Sequence, residues 1–256
     1  MPRVSPLPGI HYAVERFADL TDVACPPYDV ISEAQRAALL ARHERNAVRL
    51  EWSPDADPHA AAAETLAAWL ADGTLVRRSA PSLYAYRHAT AADRDALGVE
   101  GIVARVLLEP WGDGVRPHEH TMSGPKADRL GLLRATRTQL SPILAVYFDP
   151  AGDPAGAGQS RTDEWRARDG DGLLHHLSAI EPDPTIIDRL GAQTLYVADG
   201  HHRYETALAY QAAVRADPSR ARLPAGELAA DWIMVMLVNA ERSALEIRPT
   251  HRVLLD

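Results

Sequence analysis

Cysteine is almost absent from this chain of 256 residues: Cys25 stands alone, so no intramolecular disulfide can form. That usage fits a reducing cytoplasm, and a single thiol is a weak candidate nucleophile. Long apolar runs are missing too. The longest, Trp232 to Val238, is far too short to span a bilayer, and the proline-rich start, Met1 to Ile10, lacks the apolar core of a signal peptide. Positive charge is also in deficit: a formal net charge of -8 argues against nonspecific duplex-DNA binding, which draws its affinity from a clustered basic surface. No Gly-x-x-x-x-Gly-Lys-Ser/Thr loop occurs, and Gly156-Ala157-Gly158 has neither a preceding strand nor the third glycine of a dinucleotide fingerprint. These absences predict a soluble cytoplasmic protein with no membrane partner, in which any nucleotide is held without a P-loop. The oligomeric state is left open.

What is present is a sizeable core, with 46% hydrophobic residues, and one stretch of dense chemistry. Thr194 to Ala198 reads as a short buried strand, Asp199-Gly200 as a turn, and Arg203 to about Ala216 as a helix. A helix start offers unpaired backbone N–H groups and the positive end of the dipole to an anion. Here that start carries His201, His202 and Arg203. A guanidinium grips phosphate with two parallel bonds, and imidazoles donate to phosphate oxygens or accept a proton. Asp199 is placed to act as base or as Mg²⁺ ligand beside a phosphate, with His202 as a second catalytic candidate. The plain alternative is a capped turn in which Arg203 pairs with Glu205 or another acid.

Elsewhere, Cys25-Pro26-Pro27-Tyr28-Asp29 is a stiff loop presenting Tyr28 and Asp29, and Ser32 with Gln35 forms a capping box for a helix to about His43. Asn46 to Trp52 alternates like a strand, which makes Arg49 a second anion ligand if its face lines a cleft. Pro54 to Ala71 reads as a helix, and Ser82–His88 and Gly101–Glu109 as neighbouring strands. The stretch from Val115 to Arg129 is polar, and the helix after Pro125, extending to about Leu140, gathers Lys126, Arg129, Arg134 and Arg137 on one face. On a strand, His118 and His120 would share a face beside Glu119, and with His201 or His202 they form a possible zinc set, though no Glu-x-x-His or cysteine pattern supports it. Ser141–Tyr147 and Trp232–Val238 are further strands, Asp149–Gly158 is a loop, and Ala244–Ile247 with Pro249-Thr250-His251-Arg252 makes a last strand and turn.

The pattern predicts an α+β (mixed α/β) fold, one composite domain with an N-terminal part to residue 150, a loop over 151–160 and a second part over 161–256. Four ordered motifs carry a resemblance to the domain-of-unknown-function family ten-fifteen: Pro26 to Ser32, His118-Glu119 through Asp128-Arg129 to Ser141-Pro142-Ile143, Ala198 to Ala207, and Pro249 to Arg252. Family members usually continue past the position matching Asp256, so the resemblance implies a shortened chain. The Gly200 to Tyr204 segment is similar to the helix-start motif of sulfiredoxins and ParB-type domains, which implies a phosphate cradle. His201 stands where sulfiredoxins carry a reactive cysteine, so their repair chemistry does not transfer. Relatives that phosphorylate free L-serine share the pattern of Asp199, Gly200, His202 and Arg203. The resemblance thus implies a phosphotransferase acting on a hydroxyl metabolite, with Mg²⁺ and a nucleotide or pyrophosphate and a small phosphorylated ligand as partner. A ParB-like nucleotide-binding module and a metal-dependent hydrolase are the alternatives.

Overall fold

A computed structural model describes residues 1–90, 98–112, 114–119, 124–152, 159–243 and 245. The chain opens with strands β1 (Val4–Ser5) and β2 (Ile10–Tyr12), then helices α1 (Glu33–Arg42), α2 (Val48–Glu51) and α3 (Pro58–Ala71). Strands β3 (Leu75–Arg77), β4 (Leu83–Thr90), β5 (Val99–Leu107) and β6 (Val115–Arg116) lead to helix α4 (Gly124–Thr136). Then come β7 (Ile143–Tyr147), β8 (Arg161–Arg168), β9 (Leu173–Ile180), α5 (Pro184–Gly191), β10 (Leu195–Asp199), α6 (His201–Arg215), α7 (Pro218–Ala221) and β11 (Trp232–Asn239). The fold is α+β: a mixed sheet ordered β6-β10-β7-β11-β5-β4-β9-β8 with β1 on β5, beside a small β2–β3 pair.

Alternation along the strands sorts the two faces. One face carries Leu83, Ile102, Ala104, Ile143, Leu195, Val197, Val235 and Leu237 against Leu190 of α5 and Tyr204 and Ala207 of α6. The other carries Tyr84, Val103, Trp165 and Ala179, partly covered by Leu7, Val14 and Leu20 from the N-terminal segment. Helix α1 starts with the expected capping box: Ser32 Oγ accepts from the Gln35 amide, and the Gln35 side chain accepts from the Ser32 amide.

Several expectations change. Asn46 to Trp52 is not a strand, because fully buried Asn46 turns the chain: its Oδ1 accepts from the Val48 amide while Nδ2 donates to the Asp22 and Ala24 carbonyls. The short helix α2 follows, and Arg49 donates to the Leu40 carbonyl of α1, so it lines no strand face. Helix α4 stops at Thr136, whose hydroxyl engages the Leu132 and Thr138 carbonyls, and Arg137 turns to φ 51, outside the expected basic face. The hairpin β8–β9 was not legible, since β8 exposes most of its side chains and buries only Trp165. Helix α5 was also missed, although Asp183-Pro184 supplies its cap and first turn. The strand and turn expected over 244–252, His251 included, lie outside the described residues apart from Leu245.

Candidate functional site

The corner between β10 and α6 forms as the sequence dictates. Gly200 takes φ 91, and a Cβ there would stand 2.7 Å from Ile143 Cγ2 of β7 and 3.1 Å from Arg203 Nε, so glycine is needed for both conformation and space. Gly200, as the N-cap, has no side chain to cap the helix, and the Tyr204 amide donates to the Gly200 carbonyl at 2.9 Å. The positive end of the helix dipole lies at Gly200, where it favours an anion.

The two histidines differ. His202 is half-buried at the helix start. His201 is 1% exposed, so its imidazole does not crown the corner. Its ring lies 4.5 Å from that of His118, edge to face, and 6.2 Å from Trp111. His201 Nε2 accepts from the His118 amide at 3.3 Å, so the neutral ring carries its hydrogen on Nδ1. That Nδ1 lies 3.2 Å from Glu119 Oε1 but off the line of a hydrogen bond. Burial lowers the His201 pKa against the opposing pull of Glu119, which keeps the ring neutral. His118 in turn donates from Nδ1 to the Val197 carbonyl at 2.7 Å. Both rings thus serve to dock the loop after β6 onto β10 and α6.

This also bears on zinc. Residues His118 and Glu119 lie past the end of β6, so the same-face argument for a strand does not apply to them, and His120 is outside the described residues. Among the described residues no three of His, Cys, Asp and Glu are grouped to hold a metal ion.

Arg203 is fixed by the Pro142 carbonyl at 2.5 Å and by the Asp199 carboxylate one turn back. Its neighbour is the stiff loop: Arg129 stacks over the Tyr28 ring at 3.9 Å from the centroid. Burial raises the Tyr28 pKa, opposed by Arg129 and Arg203 and assisted by Asp29 and Asp128, so all five groups share one electrostatic neighbourhood. Arg129 also donates to Asp128 at 2.6 Å and to the Glu51 carbonyl at 3.1 Å, and Glu51 accepts from the Ser141 hydroxyl. Lys126 pairs with Glu205, which takes away the acid nearest in sequence to Arg203. Cys25 lies close by, but burial, with Glu51 adding to it, pushes its thiol up to about 12, so it is no thiolate at neutral pH.

A cavity of about 60 Å³ lies between these motifs, lined by Tyr28, Arg129, Ser141, Ile143, Arg203 and Thr206. The Thr206 hydroxyl is buried without a hydrogen-bond partner among the described residues. A larger cleft of about 1850 Å³ shares Arg203 and Ser141 with it and reaches Asp199. Three of the four sequence motifs thus meet at one place, and residues 4–256 match the family described as "Protein of unknown function (DUF1015)". The chain belongs to the DUF1015 family. No curated protein and no solved structure matches it. Within this DUF1015 chain no helix of the described residues is long and apolar enough to cross a membrane.

Sequence reasoning brought Tyr28, Asp29, Lys126, Arg129, Asp199, Gly200 and Arg203 into the discussion, and all lie at or beside the corner. Arg49 does not. Glu51 was missed as a partner of Arg129 and Ser141, because the carboxylate that a guanidinium chooses is a tertiary matter with no local signal. Each cation named at the DUF1015 corner faces a carboxylate: Arg203 with Asp199, Arg129 with Glu51 and Asp128, Lys126 with Glu205. A phosphate that enters must displace an acid or bring a cation of its own. Asp199, with its side chain 62% exposed, is the most open of these carboxylates to such a cation, ahead of Asp128 at 52%.

Proposed function

We propose that this DUF1015 protein is a small-molecule phosphotransferase that moves a phosphoryl group from a nucleotide or pyrophosphate to a hydroxyl metabolite such as free serine. The observation that carries the reading is the start of α6 at Gly200, with Arg203 held beside the exposed Asp199 and a cavity alongside. The Gly200 and His201 backbone, His202 and Arg203 would hold the transferable phosphate. Asp199 would hold Mg²⁺, which takes few protein ligands and fills its shell with phosphate oxygens and water. When bound, the ion would spread the negative charge that builds on the phosphate oxygens. One carboxylate therefore fits this ion, whereas a zinc set needs more.

In the reaction the acceptor oxygen forms a bond to phosphorus as the bond to the leaving oxygen breaks, and the acceptor proton passes to water, or to Asp199 where that carboxylate serves as base in place of holding the ion. Positioning and charge stabilisation supply most of such catalysis, and both are tasks for Arg203 and the first-turn amides. The test is incubation with Mg²⁺, one of ATP, ADP or pyrophosphate, and a panel of hydroxyl metabolites. Transfer to one acceptor is expected, falling in Asp199→Asn by more than the roughly tenfold to hundredfold that follows loss of a residue supporting a metal ligand. No transfer to any acceptor, or an unchanged rate in the variant, would overturn it.

A second reading, a ParB-like nucleotide-binding regulatory module, draws support from the same ion pair: Asp199 already engaged by Arg203 suits binding without turnover. Nucleotide binding with no phosphorylated product would select it.

A further inference from the structure

A polar cluster on the second face of the sheet lies apart from the corner. His88 on β4 stands directly opposite His175 on β9, and Tyr86, two residues earlier, faces the same way. Tyr86 Oη lies 2.7 Å from His175 Nδ1 and 3.1 Å from His88 Nδ1, and His175 Nε2 lies 3.0 Å from Asp169 Oδ2. Asp169 is locked in the turn between β8 and β9, where its Oδ1 accepts the Leu173 amide at 2.8 Å and the Asp171 amide at 3.0 Å. Burial pushes its carboxyl up, but the His175 bond and these amides outweigh that and hold it below the ordinary carboxylate range.

An ionised Asp169 only accepts, so His175 must carry its hydrogen on Nε2. Nδ1 of the neutral ring then takes the Tyr86 O–H, and the Tyr86 oxygen accepts from His88 Nδ1. The order of donors leaves His88 with its lone pair on Nε2. Burial lowers the His88 pKa, so the ring stays neutral. All four residues line the large cleft, and on the same sheet face Met236 reaches over Gly101, the β5 partner of Tyr86, where its Cε would lie 3.3 Å from a Cβ. Methionine sulfur and the edges of imidazole rings suit a flat aromatic body.

We propose that Asp169, His175, Tyr86 and His88 form a second ligand site, which takes a phenolic molecule with its hydroxyl donating to His88 Nε2 and its ring towards Met236. Asp169, His175 and Tyr86 are positioning residues, because they set which nitrogen of His88 accepts. The site stands whether or not the protein transfers phosphate.

The test is ¹⁵N NMR of the full chain labelled at histidine, with p-cresol and toluene as probes. His88 is expected as the Nδ1–H tautomer and His175 as Nε2–H near neutral pH. p-Cresol should shift the His88 Nε2 signal, and toluene, which has the ring without the donor, should not. Tyr86→Phe removes the oxygen that holds the His88 hydrogen, so His88 should change tautomer and p-cresol affinity should fall about tenfold, the cost of one lost hydrogen bond of about 1.4 kcal/mol. An Nε2–H His88 in the unaltered protein would overturn the proposal. So would absence of p-cresol binding, equal shifts from both probes, or unchanged affinity in the variant. Should Tyr86→Phe fail to fold, the tautomers and the two probes on the unaltered protein decide.

Discussion

Asp231→Asn is expected to lower the unfolding free energy by about 3–5 kcal/mol, the range for breaking a buried ion pair from one side. Asp231 is 0% exposed, and both of its oxygens are saturated. Arg215 of α6 donates Nε to Oδ1 and Nη2 to Oδ2, each at 2.7 Å, Gln211 adds a bond to Oδ1 at 3.2 Å, and the Gly226 and Leu228 amides reach Oδ2 at 2.9 and 3.0 Å. Asparagine would turn one acceptor into a donor against those N–H groups and remove the charge that Arg215 faces. Burial pushes the Asp231 carboxyl up, but the bonds from Arg215, Leu228 and Gly226 win and hold it down to about 2, against 3.8 in the unfolded chain. A depressed folded value means that the stabilisation is complete above the unfolded pKa and is lost as pH falls from about 4 towards 2. It amounts to on the order of 2 kcal/mol. Urea unfolding at pH 7 and down this window checks both parts: the unaltered protein should lose this increment on acidification and Asp231→Asn should not.

Gly200→Ala is expected to cost about 3 kcal/mol: about 1–2 for a left-handed backbone and about 1–3 for overpacking against Ile143. At roughly 2–4 °C per kcal/mol for a chain of this size, Tm should fall by roughly 6–12 °C. Gly73 supplies the control. It has φ 74, and a Cβ there meets nothing within 4 Å, so Gly73→Ala carries the conformational cost alone. The difference between the two midpoints then measures the approach of β7 to the corner. Equal losses would show that Ile143 makes room at no cost.

How far the sequence discloses this protein depends on how local each signal is. Asp199-Gly200 and the Ser32–Gln35 box are legible because every residue they need lies within one turn of chain, and both are found where expected. Asn46 misleads because its effect comes from two carbonyls more than twenty residues away, at Asp22 and Ala24, which convert an alternating stretch into a helical turn. The β8–β9 hairpin hides behind charged side chains, since an edge strand has no need of an apolar face on each side. At the site, residue types singled out Tyr28, Arg129 and Arg203 one by one, but neither their meeting nor the particular acids that face them. Nor did they foretell that His201 turns inward, because burial is decided by Trp111 and His118 from other segments. The Tyr86–His88–His175–Asp169 chain escaped for the same reason: it is assembled across β4, β9 and a turn.

Strand β11 joins the sheet between β7, to which it runs parallel, and β5, to which it runs antiparallel. Among the described strands it comes last from the ribosome, yet it alone links the β6-β10-β7 group to the β5-β4-β9-β8 group. A nascent chain that has not yet released Trp232 to Asn239 therefore carries two separate half-sheets, each with an open inner edge ready to pair with the wrong partner. Completion of the sheet waits on the emergence of Trp232 to Asn239, and in the interval before it the polypeptide benefits from shielding by chaperones.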